Sequence, residues 1–419
     1  MKFKPVDIQP YQGVSHTDWD SWTWQVKNSI SSYEQVLQHL DLNVSEHQFF
    51  QNQQSTHFKF RMNPYTVAFL KHLGPQHPLR QIFLGTQKEF SVGAQSQFDP
   101  LGENQNNPVP RIIHRYSDRV LFLVTDFCSV YCRYCTRKHF TGKDQAFPKA
   151  EEYSLALDYI KQHKGIREVI LSGGDPLTLS DSRLEKILSD IRAMDHIEII
   201  RIGTRMPVIM PMRISESLVQ MLKMYHPIYL MTHFNHPDEL TVQSVQALTR
   251  LVDAGFPIMN QMVLLNGVNN HPALVQALNR RLLYYRVKPY YMFQCDPSEG
   301  TDHLRTSIQD SLAIQRELWG HMSGLSMPNL SVDIPSGGGK AYLVPDFITQ
   351  VTEEAHHFKG WDGVQEKYIN PRPEEIKKPE VHPMYLNEWE QTKSAKTTPT
   401  LDEGTSEVSD VTKFGFNSI

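Results

Sequence analysis

The fold of this chain is decided by VLFLVTDFCSVYCRYC, residues 120–135. Its first six residues form an apolar run as long as a buried strand, and a loop with three cysteines follows directly. Stretches with helical periodicity separate most of the apolar runs that come later. This alternation predicts parallel βα units in an α/β fold, a partial (β/α)6 barrel that resembles a TIM barrel with strands missing. The later runs are EVILS (168–172), IEIIRIG (197–203), IYLMT (228–232), IMNQMVLL (258–265) and VKPYYMF (287–293).

A barrel of this kind places its functional groups in the loops at the carboxyl ends of its strands. Cys128, Cys132 and Cys135, spaced C-x3-C-x2-C, follow the first predicted strand. A compact loop can wrap three thiolates around one [4Fe–4S] cluster and leave the fourth iron without a protein ligand. The alternatives are three buried cysteines without metal, or a zinc site completed by His139 or Cys295. A closed zinc site normally has a fourth protein ligand, and none is adjacent in the sequence, which favours the cluster.

Two glycine-rich motifs could also carry chemistry. In SGGDP (172–176), the paired glycines allow close approach to a ligand and offer N–H groups to a carboxylate, and a tight βα turn is the alternative. PSGGGK (335–340) lacks the spacing of a phosphate-binding loop. A mobile glycine arm that ends in one Lys suits a lysine that forms a Schiff base with a carbonyl compound. A flexible surface loop is the alternative.

Together these motifs resemble the lysine 2,3-aminomutase family, the amino-acid 2,3-aminomutases of the radical S-adenosylmethionine (SAM) superfamily that depend on pyridoxal 5′-phosphate (PLP). The resemblance runs from about Trp19 to about residue 350. It implies a barrel of the radical SAM type and an isomerase that moves the 2-amino group of L-lysine to C3, giving β-lysine. The implied cofactors are a [4Fe–4S] cluster, SAM and PLP. The landmarks are HRYSDRVLFLVTDFCSVYCRYCTRKHF, ILSGGDPL, IRIGTRMPV, THFNHPDE, NQMVLLNGVN, VKPYYMFQCDPSEGTDHLRT and DIPSGGGK.

The resemblance also implies roles for individual residues. Lys340 would bind PLP, and Arg115, Tyr116 and Arg119 would surround the phosphate, which suits guanidinium groups. Taken alone, the two arginines could be a solvated lead-in to a strand, and the polar residues after later strands could be hydrogen-bonded core groups. The residues implied in SAM binding are Tyr134, Ser172, Gly173, Gly174, Asp175, His233, Asn235 and Gln261.

The implied substrate pocket combines one cation with two acids. Arg137 resembles the family's clamp for the substrate carboxylate, and Asp296 and Asp333 match the two acids that bind the distal ammonium of lysine. Two carboxylates around one ammonium are physically sensible because an unpaired buried Asp is costly. In the glutamate-using branch these positions are not both acidic, so the sequence favours a cationic side chain. Without the family context, both Asp residues could be ordinary cap or turn residues.

Three departures from the family pattern leave other functions open. Tyr134 stands where lysine aminomutases commonly have His, Ser336 replaces a glycine of the arm, and no cysteine follows Cys295 to build the zinc site of some members. The alternative enzymes are a 2,3-aminomutase for another basic amino acid and a radical enzyme that consumes SAM. The alternative from another class is a regulatory protein that binds a cluster or zinc.

The composition is that of a globular protein, with 40% apolar and 21% charged residues in a chain of 419. The net charge of −4 gives no sign of nucleic-acid or anionic-membrane binding, and no apolar run is long enough to span a bilayer. Because four cysteines make a poor disulfide framework, we expect a cytoplasmic protein. Its expected partners are a small-molecule amino-acid substrate, an external electron donor such as flavodoxin or ferredoxin and, in a homo-oligomer, further copies of the chain.

Three segments are predicted along the chain. Residues 1–112 form an N-terminal, mainly helical segment, and residues 113–350 form the barrel with the PLP site. Residues 351–419 form a C-terminal extension. Its last part, TKSAKTTPTLDEGTSEVSD (392–410), is nearly free of large apolar residues, which predicts disorder.

Overall fold

A computed structural model of the protein describes residues 3–52, 58–142, 147–372 and 376–394. The segment predicted to be disordered therefore lies outside the described residues from position 395 onward. The centre of the molecule is one sheet of nine strands, which follow one another in sequence order. These strands are β1 (Ile112–Tyr116), β2 (Arg119–Thr125), β3 (Glu168–Gly173), β4 (Ile199–Gly203), β5 (Ile228–Thr232), β6 (Ile258–Leu264), β7 (Val287–Gln294), β8 (Asn329–Ile334) and β9 (Gly339–Tyr342).

Strands β2 to β8 are parallel, while β1 and β9 run antiparallel to their neighbours at the two ends of the sheet. The six predicted strands correspond to β2 through β7, so the predicted α/β barrel-like fold is confirmed. The additional parallel strand, β8, was not expected, because NLSVDI is short and half of its residues are polar. As a result, Asp333 lies on a strand of the barrel rather than in a loop.

Helices follow the strands and bury one apolar face each. The helix Asp181–Arg192 begins after Ser180, whose hydroxyl accepts a hydrogen bond from the N–H of Arg183. Its buried residues Leu184, Ile187, Leu188 and Ile191 have the spacing of one helix face and belong to the common core. The helices around the sheet are α6 (Ala150–Gln162), α7 (Asp181–Arg192), α8 (Met206–Ile209), α9 (Glu216–Lys223), α10 (Val242–Asp253), α11 (Pro272–Tyr284) and α12 (Ile308–Leu318).

The N-terminal part is helical and shares the core of the barrel. Buried polar contacts join it to the barrel helices: Asn63 Nδ2 donates to the carbonyl of Ile209 at 2.9 Å, and the hydroxyls of Tyr65 and Thr241 are 2.6 Å apart. These buried hydrogen bonds across the junction give the N-terminal part a defined position on the barrel. Its helices are α1 (His16–Trp19), α2 (Trp22–Lys27), α3 (Tyr33–Leu37), α4 (Val44–Gln51) and α5 (Pro64–Leu73).

The C-terminal part contains a separate antiparallel sheet of three strands and one helix. Its first strand crosses the predicted start of the extension at residue 351. Within the described ranges, no helix combines the length and the apolarity that crossing a membrane requires. The elements are β10 (Ile348–Val351), β11 (Ala355–Lys359), β12 (Gln365–Ile369) and α13 (Pro383–Ser394).

Candidate active site

A cavity of about 550 Å³ opens at the carboxyl ends of the parallel strands and extends into the barrel. The loop after β2 brings the three cysteines to it, and β3 brings Ser172. The loop after β5 brings His233, the middle of β6 brings Gln261, and β9 brings Lys340. Every predicted site residue except Asn235 lines this one cavity. A volume of this size is in the range of small-molecule and cofactor sites.

The glycine pair after β3 sets the position of the cysteine loop. A Cβ atom on Gly173 would lie 2.1 Å from the carbonyl oxygen of Thr125, and one on Gly174 would lie 2.2 Å from that of Phe127, so only glycine fits. The N–H groups of Gly174 and Asp175 donate to these two carbonyls at 2.7 and 3.0 Å. These N–H groups are therefore used inside the protein and are not offered to a ligand carboxylate, which differs from the expectation from sequence.

The spacing of the cysteine sulfurs suits a cluster better than a single metal ion. Among the described residues, the one group of three His, Cys, Asp or Glu ligand atoms within 4.8 Å of one another is His77, His236 and Asp238. The sulfurs of the three cysteines are therefore not all within 4.8 Å of one another. Thiolates bound to one zinc ion are about 3.8 Å apart. A four-iron cluster presents its irons at separate corners and accepts ligands that lie further apart. The residues present therefore fit a [4Fe–4S] cluster.

Two buried side chains approach the cysteine loop from the ends of β4 and β5. Arg205 Nη1 donates to Cys132 Sγ at 2.7 Å, and Arg205 Nη2 forms an ion pair of 2.6 Å with the buried carboxylate of Glu239. The guanidinium thus places a positive charge beside a sulfur that would be a ligand of the cluster. Sequence reasoning missed both residues, although Arg205 lies in the quoted motif IRIGTRMPV. No spacing rule distinguishes it from the other arginines of the chain.

The predicted SAM contacts divide into residues that reach the cavity and residues that support them. Tyr134 lines the cavity, while Asn235 lies behind it and donates from Nδ2 to the Tyr134 hydroxyl at 2.7 Å. Asp175 touches the cavity, but its carboxylate accepts hydrogen bonds from the Thr204 hydroxyl and the N–H of Arg205, both at 2.8 Å. Asn235 and Asp175 thus hold loops in place.

One polar atom at this end of the cavity lacks a partner. Nε2 of His233 is buried and has no hydrogen-bond partner among the described residues. Burial, together with the nearby charge of Arg205, lowers the pKa of His233 to about 3, so its imidazole is neutral. Because an unpaired buried nitrogen is costly, a bound ligand that offers a hydrogen bond here would be stabilised. This observation fits the presence of a cofactor beside the cysteines.

Lys340 lies at the other end of the cavity, on the hairpin of β8 and β9. Its backbone pairs with that of Asp333, and its Nζ lies 2.9 and 3.0 Å from the two oxygens of that carboxylate. Its N–H donates to the Tyr116 hydroxyl at 3.0 Å. Arg115 donates to the carbonyls of Gly337 and Gly338, in the second case at 2.8 Å. Residues of β1 and the following turn therefore hold the glycine arm.

The groups around this arm fit a phosphate. Arg115 and Arg119 supply guanidiniums and Tyr116 supplies a phenol, and Arg119 lies 4.0 Å from the centre of the Tyr116 ring. A Cβ atom on Gly339 would lie 3.3 Å from the Tyr116 hydroxyl and 3.4 Å from Arg115 Nη2, so glycine lets the arm pass close to these donors. Planar guanidinium groups are well suited to bind phosphate oxygens. The donor set is thus compatible with PLP bound near Lys340.

The predicted substrate residues also reach the cavity, with an unexpected partner. Arg137 forms an ion pair of 2.7 Å with Glu103, an acid that sequence reasoning did not single out. Burial disfavours the charge of Arg137, but the Glu103 carboxylate opposes this effect and keeps the pKa of the guanidinium above its usual range. Burial and then the neighbouring Asp333 raise the pKa of Asp296 to about 7.

Three tyrosines complete the wall near Lys340. The hydroxyls of Tyr291 and Tyr342 are 2.6 Å apart, and the hydroxyl of Tyr290 donates to that of Tyr291 at 3.4 Å. All three line the cavity. Sequence reasoning quoted two of them in the strand VKPYYMF without assigning them a role, because aromatic residues in a strand are usually core.

Comparison with known proteins identifies the family. Residues 122–275 match the family model of the Radical SAM superfamily, which implies SAM and a [4Fe–4S] cluster, and residues 315–407 match that of Lysine-2,3-aminomutase. The L-lysine 2,3-aminomutase of Clostridium subterminale is 40% identical over 361 residues, which cover 86% of each chain. That of Methanococcus maripaludis is 41% identical over 84% of this chain and 82% of its own. The glutamate 2,3-aminomutase of Clostridioides difficile is 37% identical over 86% and 85%. This similarity over most of both chains shows that the protein belongs to the lysine 2,3-aminomutase family of radical SAM enzymes, which are isomerases.

Proposed function

We propose that the protein is a lysine 2,3-aminomutase that transfers the 2-amino group of L-lysine to C3 and produces β-lysine. The observation that carries the proposal is the pair Asp296 and Asp333, whose carboxylates share one end of the cavity. Their mutual repulsion contributes to the pKa of about 7 at Asp296. A cationic ligand relieves this repulsion, whereas an anionic ligand increases it. The pair therefore favours a substrate with an ammonium side chain.

A cation of the protein itself supports this assignment. The ammonium of Lys340 donates to both carboxylate oxygens of Asp333, and its charge favours the ionised form of Asp296. The side chain of Lys340 is chemically the same as that of the proposed substrate. When Lys340 is occupied by PLP, the two carboxylates need another cation, and the distal ammonium of L-lysine provides it.

The cofactors we propose are those that the site residues fit. PLP would be held by Lys340 with Arg115, Tyr116 and Arg119 around its phosphate, and SAM would lie between the cysteine cluster, Tyr134 and His233. When bound, SAM and the reduced cluster supply the radical that removes a hydrogen atom, and PLP supplies the π-system that lets the amino nitrogen migrate. We expect the electron to come from an external donor such as flavodoxin or ferredoxin.

The residues of the chain then have three tasks. Arg137 would bind the substrate carboxylate at one end of the carbon chain, and Asp296 and Asp333 would bind the ammonium at the other. Fixing both ends places C2 and C3 between the cofactors, and such positioning accounts for a large part of many rate enhancements. The tyrosine cluster would form the wall of the cavity on the side of Lys340.

Glutamate is the substrate in the name of one relative, and the charges of this cavity disfavour it here. Its side-chain carboxylate would lie beside Asp296 and Asp333, with Glu103 as a third acid in the same cavity. The negative charge of the ligand and those of these acids would repel each other strongly within one partly buried cavity. Other basic amino acids, such as ornithine and arginine, differ from lysine in the length and shape of the side chain, so turnover has to be compared directly.

The test is an anaerobic assay of protein reconstituted with iron, sulfide and PLP. L-Lysine, L-ornithine, L-arginine and L-glutamate are supplied separately with SAM and a reductant, and the products are separated on a chiral column and identified by mass spectrometry. We expect β-lysine from L-lysine, with SAM largely unconsumed. Asp296→Asn is expected to reduce this turnover strongly, while Asp253→Asn, an exposed acid paired with Arg286, is the matched control. Faster turnover of another amino acid, or loss of one SAM per product, would refute the proposal.

A further inference from the structure

Glu103 is the acidic partner of the Arg137 side chain. Arg137 Nε lies 2.8 and 3.0 Å from the two oxygens of Glu103, and Nη2 lies 2.7 Å from one of them. The side chain of Glu103 is only 8% exposed. A buried carboxylate requires a cation, and Arg137 is the cation it has.

This pairing leaves one edge of the guanidinium free. Arg137 has five N–H donors: both oxygens of Glu103 accept from Nε, one of them forms a 2.7 Å ion pair with Nη2, and the hydroxyl of Ser172 accepts one N–H of Nη1 at 3.1 Å. Even if Glu103 also occupies one N–H of Nη2, one N–H on Nη1 and one on Nη2 have no acceptor among the described residues. A carboxylate that binds a guanidinium with both oxygens uses two N–H donors.

The loop that carries Glu103 is itself rigid. Both carboxylate oxygens of Asp99 accept backbone hydrogen bonds, from the N–H of Glu103 at 3.0 Å and from that of Asn104 at 2.8 Å. The carbonyl of Pro100 accepts the N–H of Ser336 at 3.0 Å, which fixes the loop against the glycine arm. Glu103 therefore has a defined place from which to orient a longer and more flexible side chain.

We propose that Glu103 is a positioning residue of the reaction: it holds Arg137 by one edge, so that the opposite edge of the guanidinium is presented to the substrate carboxylate. The inference rests on the proposed function, in which Arg137 binds that carboxylate. In this role Glu103 acts through Arg137 and not through a contact of its own with the substrate. Its effect is confined to ligands that carry a carboxylate, and this restriction separates positioning from a general structural role.

The test measures ligand binding without turnover. Protein loaded with PLP is titrated with L-lysine and with L-lysinamide, in which an amide replaces the carboxylate, and the change of PLP absorbance is followed in the absence of SAM and reductant. Wild type should prefer L-lysine. We expect Glu103→Ala to weaken L-lysine binding roughly 10- to 100-fold and to change L-lysinamide binding by less than about 3-fold. Glu103→Gln, whose amide oxygen can still accept from Nε, should recover part of the loss.

Two further variants make the outcome decisive. Gln105→Ala alters an exposed residue of the same loop and should leave both affinities unchanged. In the Arg137→Met background, Glu103→Ala should have no further effect on L-lysine binding, because the group it positions is gone. Equal weakening of both ligands by Glu103→Ala, or a large additional loss in the Arg137→Met background, would overturn the proposal.

The same experiment separates this inference from the substrate assignment. PLP content and unfolding by urea are measured for each variant, and Glu103→Gln replaces Glu103→Ala if the latter does not fold. If wild type binds another amino acid instead of L-lysine, the assignment of lysine fails. The comparison is then made with that amino acid and its amide, and the result supports or overturns the role of Glu103 in the same way.

Discussion

Lys340 donates its ammonium to both oxygens of Asp333, at 2.9 and 3.0 Å, across the antiparallel pair of β8 and β9. The lysine proposed to bind PLP thus occupies, in the free protein, the place proposed for the substrate's ammonium. Attachment of PLP to Lys340 should therefore leave Asp333 open to the ammonium of an incoming L-lysine.

Replacement of Asp333 should separate these two functions. In Asp333→Asn the ion pair that holds the Lys340 amine is gone, so we expect PLP to bind at an increased rate. The affinity for L-lysine should fall by at least about tenfold, because half of the cation site is lost. Both are measured from PLP absorbance, the first by stopped-flow mixing and the second by titration. Slower PLP binding with unchanged lysine affinity would contradict the proposed site.

Binding of L-lysine should depend on pH through Asp296. Because the pKa of this carboxyl is raised to about 7, protons compete with the substrate ammonium at lower pH. We expect the affinity to rise with pH up to about 7, by about tenfold per pH unit below it, and then to level off. Asp296→Asn should remove this dependence at reduced affinity. A profile that is unchanged in the variant would assign the titration to another group.

The same raised pKa has a consequence for stability in the absence of ligand. The unfolded carboxyl ionises near its ordinary value, so between that value and about 7 the unfolded state releases the proton first. The contribution of protonated Asp296 to stability is therefore complete at low pH and is lost as the pH rises through about 7. Asp296→Asn should reduce this part of the slope of the unfolding free energy against pH.

The contact between the Glu103 loop and the glycine arm is testable at Gly102. This glycine has a φ of +60°, and a Cβ atom on it would lie 2.8 Å from the backbone of Gly337. Gly102→Ala should displace the arm and weaken PLP binding, while the iron content after reconstitution stays unchanged because the atoms nearest to the added Cβ belong to Ser336 and Gly337 and not to the cysteine loop. Gly13→Ala is the matched control, since Gly13 also has a positive φ but no atom within 4 Å of a Cβ. An equal loss of iron and PLP in Gly102→Ala would show general unfolding instead.

The buried ion pair between Arg133 of the cysteine loop and Glu89 should contribute strongly to the free energy of unfolding. The Arg133 side chain is fully buried and donates from Nε to the Glu89 carboxylate at 2.8 Å. Glu89→Ala leaves this guanidinium without its counter-charge, which should cost about 3–5 kcal/mol of unfolding free energy. Asp253→Ala removes the partner of Arg286 from an exposed pair and should cost less than about 1 kcal/mol. Urea unfolding of both variants provides the comparison, and similar costs would refute the special role of the buried pair.

The sequence predicts those elements of the fold whose apolar residues follow a regular pattern. Strands β2 to β7 are visible because each is a mainly apolar run and amphipathic helices lie between most of them, a pattern typical of parallel strands that are covered on both faces. Strand β8 is hidden because Ser331 and Asp333 interrupt it. Strand β1, IIHRY, is hidden because it lies at an end of the sheet, where polar residues are common.

The functional site likewise contains residues that sequence patterns reveal and residues that they do not. Cysteines at fixed spacing and a lysine after three glycines form patterns in one stretch of chain, so sequence reasoning found them. Glu103 and Glu239 form none: each is an ordinary acid in a polar loop, and its importance arises from an arginine that lies 34 positions away in both cases. Pairings of this kind depend on which loops meet in space. They become visible only with the three-dimensional arrangement.

The sheet never returns to its first strand. Among the described residues, β1 and β9 share no backbone pairing, and Arg115 spans the gap by donating to Gly337 and Gly338. Opening a fully closed barrel would require a row of ladder hydrogen bonds to break. Here the arm beside Lys340 is held by a few contacts, which are those of Arg115, the bond from the N–H of Lys340 to the Tyr116 hydroxyl and the bond from the N–H of Ser336 to the Pro100 carbonyl. A large ligand can thus be exchanged at low energetic cost while the strands that support the cysteines stay intact. The framework that must remain rigid and the segment that must move are different parts of one sheet.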